Sequence, residues 1–337
     1  MLCPPDAPDV PGLTFRAYRG EADIGPMRAV HDGCRVEDKT DPHSVCYRLP
    51  NLPPDEYAQD VALSFADGTQ ENVLLAEVAG QVIAHGRLEW WSSYDGGSET
   101  RVYLSRAWVL PQWRGRGIGT ALLYWAEARS RSLNVGDPPG ELAVNASEGE
   151  ADARRLLENE GYRLFFLSPE LAYDDLDSLP PAETPEGFKI RPLEPAHHGS
   201  VARALIESNA PPESLEVRLA TEEAEWTAFA ASCDPALSRI AWHEDEVAGL
   251  YLCRSRGVCG DVAQVAVRPA YRGQGLSRAL MSHCLHAMRD QELTTVRVFT
   301  SAGVDPDEPP SGPLAMYLRF GFHVIARHYR YRKPLTL

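Results

Sequence analysis

The sequence predicts an α+β protein built twice over. It reads as two tandem domains, each a mixed, mostly antiparallel twisted sheet flanked by helices. Three observations predict this. The chain has 337 residues, too many for one ordinary core and enough for two domains of about 150 residues each. The string RGRGIG at Arg114–Gly119 returns, slightly altered, as RGQGLS at Arg272–Ser277. Around each string the hydrophobic periodicity passes through the same succession of strand and helix patterns.

Each half opens on an alternating strand, LTFRAYRG from Leu13 and GFKIRPLE from Gly187. Two strands joined by a turn follow, NVLLAEVAGQVIAHGRLEWW (Asn72 to Trp91) and RIAWHEDEVAGLYLCR (Arg239 to Arg254). Next come RVYLSRAWVLPQW and GDVAQVAVRPAY, strands that end in x-Pro just before the glycine string. After the string the period changes from two to about 3.6. Ile118, Ala121, Leu122 and Trp125 share one helical stripe, as do Leu276, Ala279, Leu280 and Cys284. GELAV and TTVRVFT then read as strands. A short helix, a Gly-aromatic pair (Gly161-Tyr162 and Gly321-Phe322) and a last strand close each half. The Pro- and acid-rich stretch 174–187 suits a linker, which sets the domains at 13–173 and 188–337.

Composition narrows the function. The apolar and charged fractions, 44% and 24%, are those of a soluble globular chain. The net charge of −15 repels nucleic acid and anionic membranes at long range. No run of 18 apolar residues and no basic, apolar leader is present, so no membrane partner and a cytoplasmic location are expected. The seven cysteines form no CxxC pair and fit no common zinc spacing. Buried free thiols and no metal site are expected.

A glycine loop between a strand and a helix aims unpaired backbone N–H groups outward at the positive end of the helix dipole. Glycines admit an anion to the backbone and arginines add charge, so the expected ligand is a phosphate or pyrophosphate. The loops lack the Gly-Lys-Ser/Thr ending of a Walker loop and the spacing of a dinucleotide fingerprint.

Arg-x-x-Gly-x-Gly/Ala after a strand ending near Val-x-Pro resembles the acyl-CoA pyrophosphate loop of the GNAT superfamily of N-acyltransferases. The first copy matches through Val109-Leu110-Pro111 with Arg114, Gly117 and Gly119. The second matches through Val267-Arg268-Pro269 with Arg272, Gly275 and Ser277, where serine replaces the last small residue. The resemblance spans nearly the whole chain as two copies and implies acetyl-CoA as cofactor. It assigns the pyrophosphate to Arg114, Gly115, Arg116, Gly117, Ile118 and Gly119, and to Arg272, Gly273, Gln274, Gly275, Leu276 and Ser277. It assigns the pantetheine arm to the backbone of Ala107, Trp108 and Val109, and of Val265, Ala266 and Val267.

It also implies the proton chemistry. A tyrosine four residues before the closing Gly-Phe serves as donor to the leaving thiolate in many relatives. Tyr317 stands there in the second copy, whereas Leu157 stands there in the first. An acid eleven residues before the loop arginine is Asp261, a candidate base for the amine; Tyr103 holds that place in the first copy. Glu89 and His243 are weaker candidates. The alternatives remain a core tyrosine at 317 and an ordinary strand-end aspartate at 261. Pro310 and Pro313 depart from the family's Asn and Ala, so the start of that helix is rebuilt. The implied activity is acetyl transfer to a primary amine of a small molecule or peptide, by a monomer or homodimer, with the second copy doing the chemistry. A non-catalytic acyl-CoA sensor is the competing class. Trp90, Trp91 and Trp226 serve either an acceptor pocket or packing.

Overall fold

The computed structural model describes residues 4, 6–38, 70–93, 98–135, 139–304 and 309–336. The first copy runs β1 (Leu13–Ala17), α1 (Ile24–Glu37), β2 (Val73–Val78), β3 (Gln81–Ser93), β4 (Thr100–Val109), α2 (Ile118–Leu133), β5 (Gly140–Ser147), α3 (Ala151–Asn159) and β6 (Arg163–Tyr173). The second runs β7 (Phe188–Pro192), α4 (His198–Asn209), α5 (Leu215–Ala231), β8 (Arg239–His243), β9 (Glu246–Arg256), β10 (Cys259–Val267), α6 (Leu276–Asp290), β11 (Thr295–Phe299), α7 (Gly312–Phe320) and β12 (His323–Pro334). The expected succession of elements is present in both halves.

The twelve strands form one continuous sheet in the order β1-β2-β3-β4-β5-β12-β6-β11-β10-β9-β8-β7. The closing strands are exchanged. β12, the last strand of the chain, pairs with β5 of the first copy, and β6 pairs with β11 of the second. The two exchanged strands also pair with each other, from His323 opposite Ala172 to Arg332 opposite Arg163. The arginine-rich tail therefore lies at the centre of the sheet.

Alternation along the strands sorts residues onto two faces. One face packs against α2 and α3 in the first copy and α6 and α7 in the second. Leu122 of α2 and Leu280 of α6 are completely buried there. The opposite face carries α1 in the first copy, with Met27, Val30 and Cys34 buried, and α4 and α5 in the second, with Val201, Leu205 and Ala230 buried. The linker lies against α6, where His286 meets the Pro180 carbonyl at 2.8 Å and Thr184 meets His283 at 3.0 Å. Cys34, Cys233, Cys253, Cys259 and Cys284 are free and buried; Cys3 and Cys46 lie outside the described residues.

Candidate active site

Each copy holds one wedge-shaped opening in the sheet. β4 and β5 are paired in parallel from Arg101 to Ser105, after which β4 continues to Val109 while bonded only to β3. β10 and β11 are paired in parallel from Cys259 to Val262, after which β10 continues to Val267 while bonded only to β9. The residues assigned to pantetheine, Ala107–Val109 and Val265–Val267, are those left facing the gap. Their inward backbone groups have no strand partner among the described residues, which suits a ligand arm carrying amides. In the first copy the opening is a cleft of about 580 Å³, lined by Trp108, Val109, Gly117, Asn145, Glu150 and Leu157 among others.

The loops close the wide end of each wedge. Gly117 and Gly275 sit at φ +81° and +77°, in the left-handed region that favours glycine, and each is the N-cap of the following helix. No side chain caps either helix, so the first N–H groups of α2 and α6 point outward. A Cβ on Gly115, Gly273 or Gly275 would meet no protein atom within 4 Å. These uncapped, open cradles fit a pyrophosphate.

Both loop arginines are engaged by the protein itself. Arg114 donates through Nε to the Val109 carbonyl at 2.9 Å and grips Asp38 with both terminal nitrogens at 2.6 and 2.8 Å. Arg272 donates through Nε to the Val267 carbonyl at 3.0 Å and through a terminal nitrogen to the Ser208 carbonyl at 2.8 Å. Both tie the loop to the strand end and to the end of the first long helix of their copy. They hold the loop in place, and the first N–H groups of the helix are left without a side-chain cap. Arg116 lies over Trp113, 4.8 Å from the ring centroid, and Gln274 reaches the Ala270 carbonyl at 3.5 Å. Beneath the first loop, Cys34 Sγ meets the Val109 carbonyl at 3.3 Å, and burial pushes its thiol up to about 11. It stays a neutral thiol.

Tyr317 lies on α7 with only 3% of its surface exposed, its ring 5.3 Å from that of Phe322. Burial raises its phenol above the ordinary value, while a hydrogen bond from Tyr251 works against that rise. A buried phenol beside the gap-lining strand keeps its proton at neutral pH and so can offer an O–H as a donor. Leu157, its counterpart, is 3% exposed and lines the first cleft. Pro313 falls in the first turn of α7 with Ser311 as N-cap, a position that tolerates proline.

Asp261 is 2% exposed and lies on the opposite face of the sheet from Tyr317. Its cross-strand neighbours are Arg254 on β9 and Arg297 on β11. It sits in the last paired stretch of β10 before the gap opens, on the face that carries α5. Glu89 forms ion pairs with Arg106 at 3.3 Å and Arg87 at 3.8 Å, and His243 packs between Phe188 and Tyr271. Trp226 packs on Phe229 and Trp90 on Tyr103, whereas Trp91 is 43% exposed. Tyr251, on β9 directly opposite Val265, was not singled out by the sequence. Alternation marks it only as buried, and its value depends on a register that pattern alone does not fix.

Fold and site together define a class: a tandem acyltransferase architecture with one open wedge per copy. The sequence profile of the Acetyltransferase (GNAT) family matches residues 40–158 and 203–322, so the chain belongs to that family. It is an N-acetyltransferase by class. It is 28% identical over 258 residues to a mycothiol acetyltransferase of Geodermatophilus obscurus, covering 71% of this chain and 76% of the relative. It is 30% identical over 245 residues to the mycothiol acetyltransferase of Thermobifida fusca, covering 64% and 70%. Among solved structures, a GCN5-related N-acetyltransferase from Sphaerobacter thermophilus superposes with a TM-score of 0.72 at 22% identity over 97% of both chains. A tandem GNAT protein from the clavulanic acid biosynthesis pathway follows at 0.66 and 17% over 96% and 99%. At these identities the structural likeness shows the fold. No described helix is long and apolar enough to cross a membrane.

Proposed function

We propose that the second copy transfers an acetyl group to a primary amine of a small molecule or peptide, and that the first copy, residues 13–173, holds acyl-CoA without turnover. The supporting observation is the pairing of an open loop with a buried phenol in one copy only. Acetyl-CoA supplies the activated acetyl group. Val265–Val267 and the amides of Gly273–Ser277 would hold it. A backbone N–H of β10 facing the gap polarises the acyl carbonyl. Asp261, reaching the gap from the α5 side, takes a proton from the incoming amine. An alkylamine of pKa about 10 must lose that proton at a cost of about 4 kcal/mol at neutral pH. Tyr317 holds its own proton for the sulfur that departs on the α7 side. In a direct attack the amine adds to the carbonyl carbon and the thiolate leaves from the tetrahedral intermediate, so base and donor serve different atoms and can approach from different faces of the sheet.

The relatives' name makes the amine from which mycothiol forms by N-acetylation the first acceptor to test. The exposed Trp91 and the loops around it offer no chemistry that singles out one amine. Calorimetric titration of acetyl-CoA tests the binding half of the proposal. Two sites per chain are expected, falling to one with Gly275→Glu. No binding at all would overturn the acetyltransferase reading and leave a tandem scaffold.

A further inference from the structure

Three hydroxyls stand in line in the second copy: Ser277 at the start of α6, Tyr251 on β9 and Tyr317 on α7. We propose that Tyr251 and Ser277 are positioning residues that aim Tyr317 and support it as it releases its proton. The inference rests on the reading of Tyr317 as donor.

The geometry is continuous. Tyr251 Oη lies 2.9 Å from Ser277 Oγ. The Tyr251 and Tyr317 hydroxyls lie close enough to interact, Tyr251 favouring the ionised form of Tyr317. Ser277 Oγ in turn lies 3.3 Å from Met316 Sδ, the residue before Tyr317. Tyr251 is wholly buried and Tyr317 nearly so. Two phenols in a core are held to each other because a buried hydroxyl needs a partner.

The first copy shows that packing does not require them. Val109 and Val267 anchor their loop arginines identically, so the strand residues two earlier, Ala107 and Val265, are equivalent. Their cross-strand partners are Gly86 and Tyr251. Gly119 and Ser277 are each the second residue of their helix. Leu157 and Tyr317 each stand four residues before the closing glycine. All three hydroxyl positions are thus Gly, Gly and Leu in the first copy. The space is filled there by hydrocarbon: a Cβ on Gly86 would lie 3.3 Å from Trp125 Cζ3 and 3.4 Å from Leu122 Cδ2. The line is present where the donor is present and absent where it is absent.

Its chemistry follows from burial. When Tyr317 gives its proton to the departing sulfur, an O–H bond breaks, an S–H bond forms, and a phenolate is left in the core. Tyr251 donates its O–H to that oxygen, and Ser277 can turn its proton from Met316 to Tyr251. Solvent returns the proton to Tyr317 after the product leaves. The other titratable groups facing Tyr317 are Cys253 on β9 and Cys284 on α6; the contact with Cys284 and burial push the Cys253 thiol up.

The test reads the ionisation of the CoA thiol bound to the full chain, followed by thiolate absorbance against pH. A donor hydrogen bond lowers that pKa, and a thiol held by the first copy cancels between variants. Tyr317→Phe should raise it by about one pH unit, Tyr251→Phe by about half a unit, and Ser277→Ala by less. A purely structural Tyr251 would change stability and leave the thiol where it was. A shift with Tyr317→Phe but none with Tyr251→Phe and Ser277→Ala would overturn the line and leave Tyr317 as donor. No shift with Tyr317→Phe would overturn the donor reading and the line with it.

Discussion

The two wedges share a backbone and differ in what fills it. Around the first, Trp108 projects from β4 against His31 and His85, with ring centroids 5.0 and 4.9 Å away. Around the second, Ala266 stands at the same place. A Cβ on Gly117 would lie 3.2 Å from Pro8 of the N-terminal segment, while one on Gly275 would meet nothing. The first loop is tied by a bidentate ion pair to Asp38, the second by one bond to a carbonyl. The difference teaches that two loops of like backbone can be lined and braced by quite different side chains. The first loop is the more firmly braced of the two.

The comparison breaks most completely if the copies are separable. Removing β12 by ending the chain at Phe322 strips β5 and β6 of their shared partner. Both halves should then lose cooperative unfolding by circular dichroism. A first half that still melts as a folded unit would contradict one shared sheet. The second effect in size is catalytic. Tyr317→Phe should lower kcat by about 10²-fold with little change in the acetyl-CoA KM. Leu157→Ala should leave kcat within about twofold while destabilising the core by about 2–5 kcal/mol. Steady-state kinetics and denaturant unfolding separate the two.

The braces give a smaller effect. The Arg114 side chain is 31% exposed and Asp38 6%, between a surface and a buried pair. Arg114→Ala should therefore cost about 2 kcal/mol. Arg272→Ala, which loses bonds to carbonyls only, should cost about 1 kcal/mol. Equal losses in chemical denaturation would remove this asymmetry.

The smallest effect is a pH term. Burial alone would raise the Asp23 carboxyl, but hydrogen bonds from Arg16 at 2.7 Å and the Arg19 amide at 2.6 Å outweigh it and hold the pKa below the ordinary value. A carboxyl lowered on folding adds stability above its unfolded pKa of about 4 and loses it as pH falls through the folded value. Asp23→Asn should lower stability at pH 7 and flatten its decline between about pH 5 and 2, measured by melting across that range.

Much of this was legible in the sequence, for reasons that can be named. The period change at Ile118 and Leu276, the x-Pro endings and the left-handed glycines are local, and local chemistry sets them. The asymmetry of Tyr317 and Leu157 was readable from one spacing. The strand exchange was not, because β12 has the same alternation whether it pairs with β5 or β11. The brace from Arg114 to Asp38 and the line from Ser277 to Tyr317 were equally hidden. Each joins residues from different elements through a register that no short pattern encodes.

The most direct test of the division of labour places the same charge at the same backbone position of each loop. Gly117 and Gly275 have nearly equal φ, so the backbone cost of glutamate is similar at both, although at Gly117 the new Cβ also lies 3.2 Å from Pro8; each substitution sets a carboxylate where the anion would lie. Acetyl transfer to a primary amine should be abolished by Gly275→Glu and kept within about twofold by Gly117→Glu. Loss of transfer with Gly117→Glu and its survival with Gly275→Glu would contradict the assignment of chemistry to the second copy.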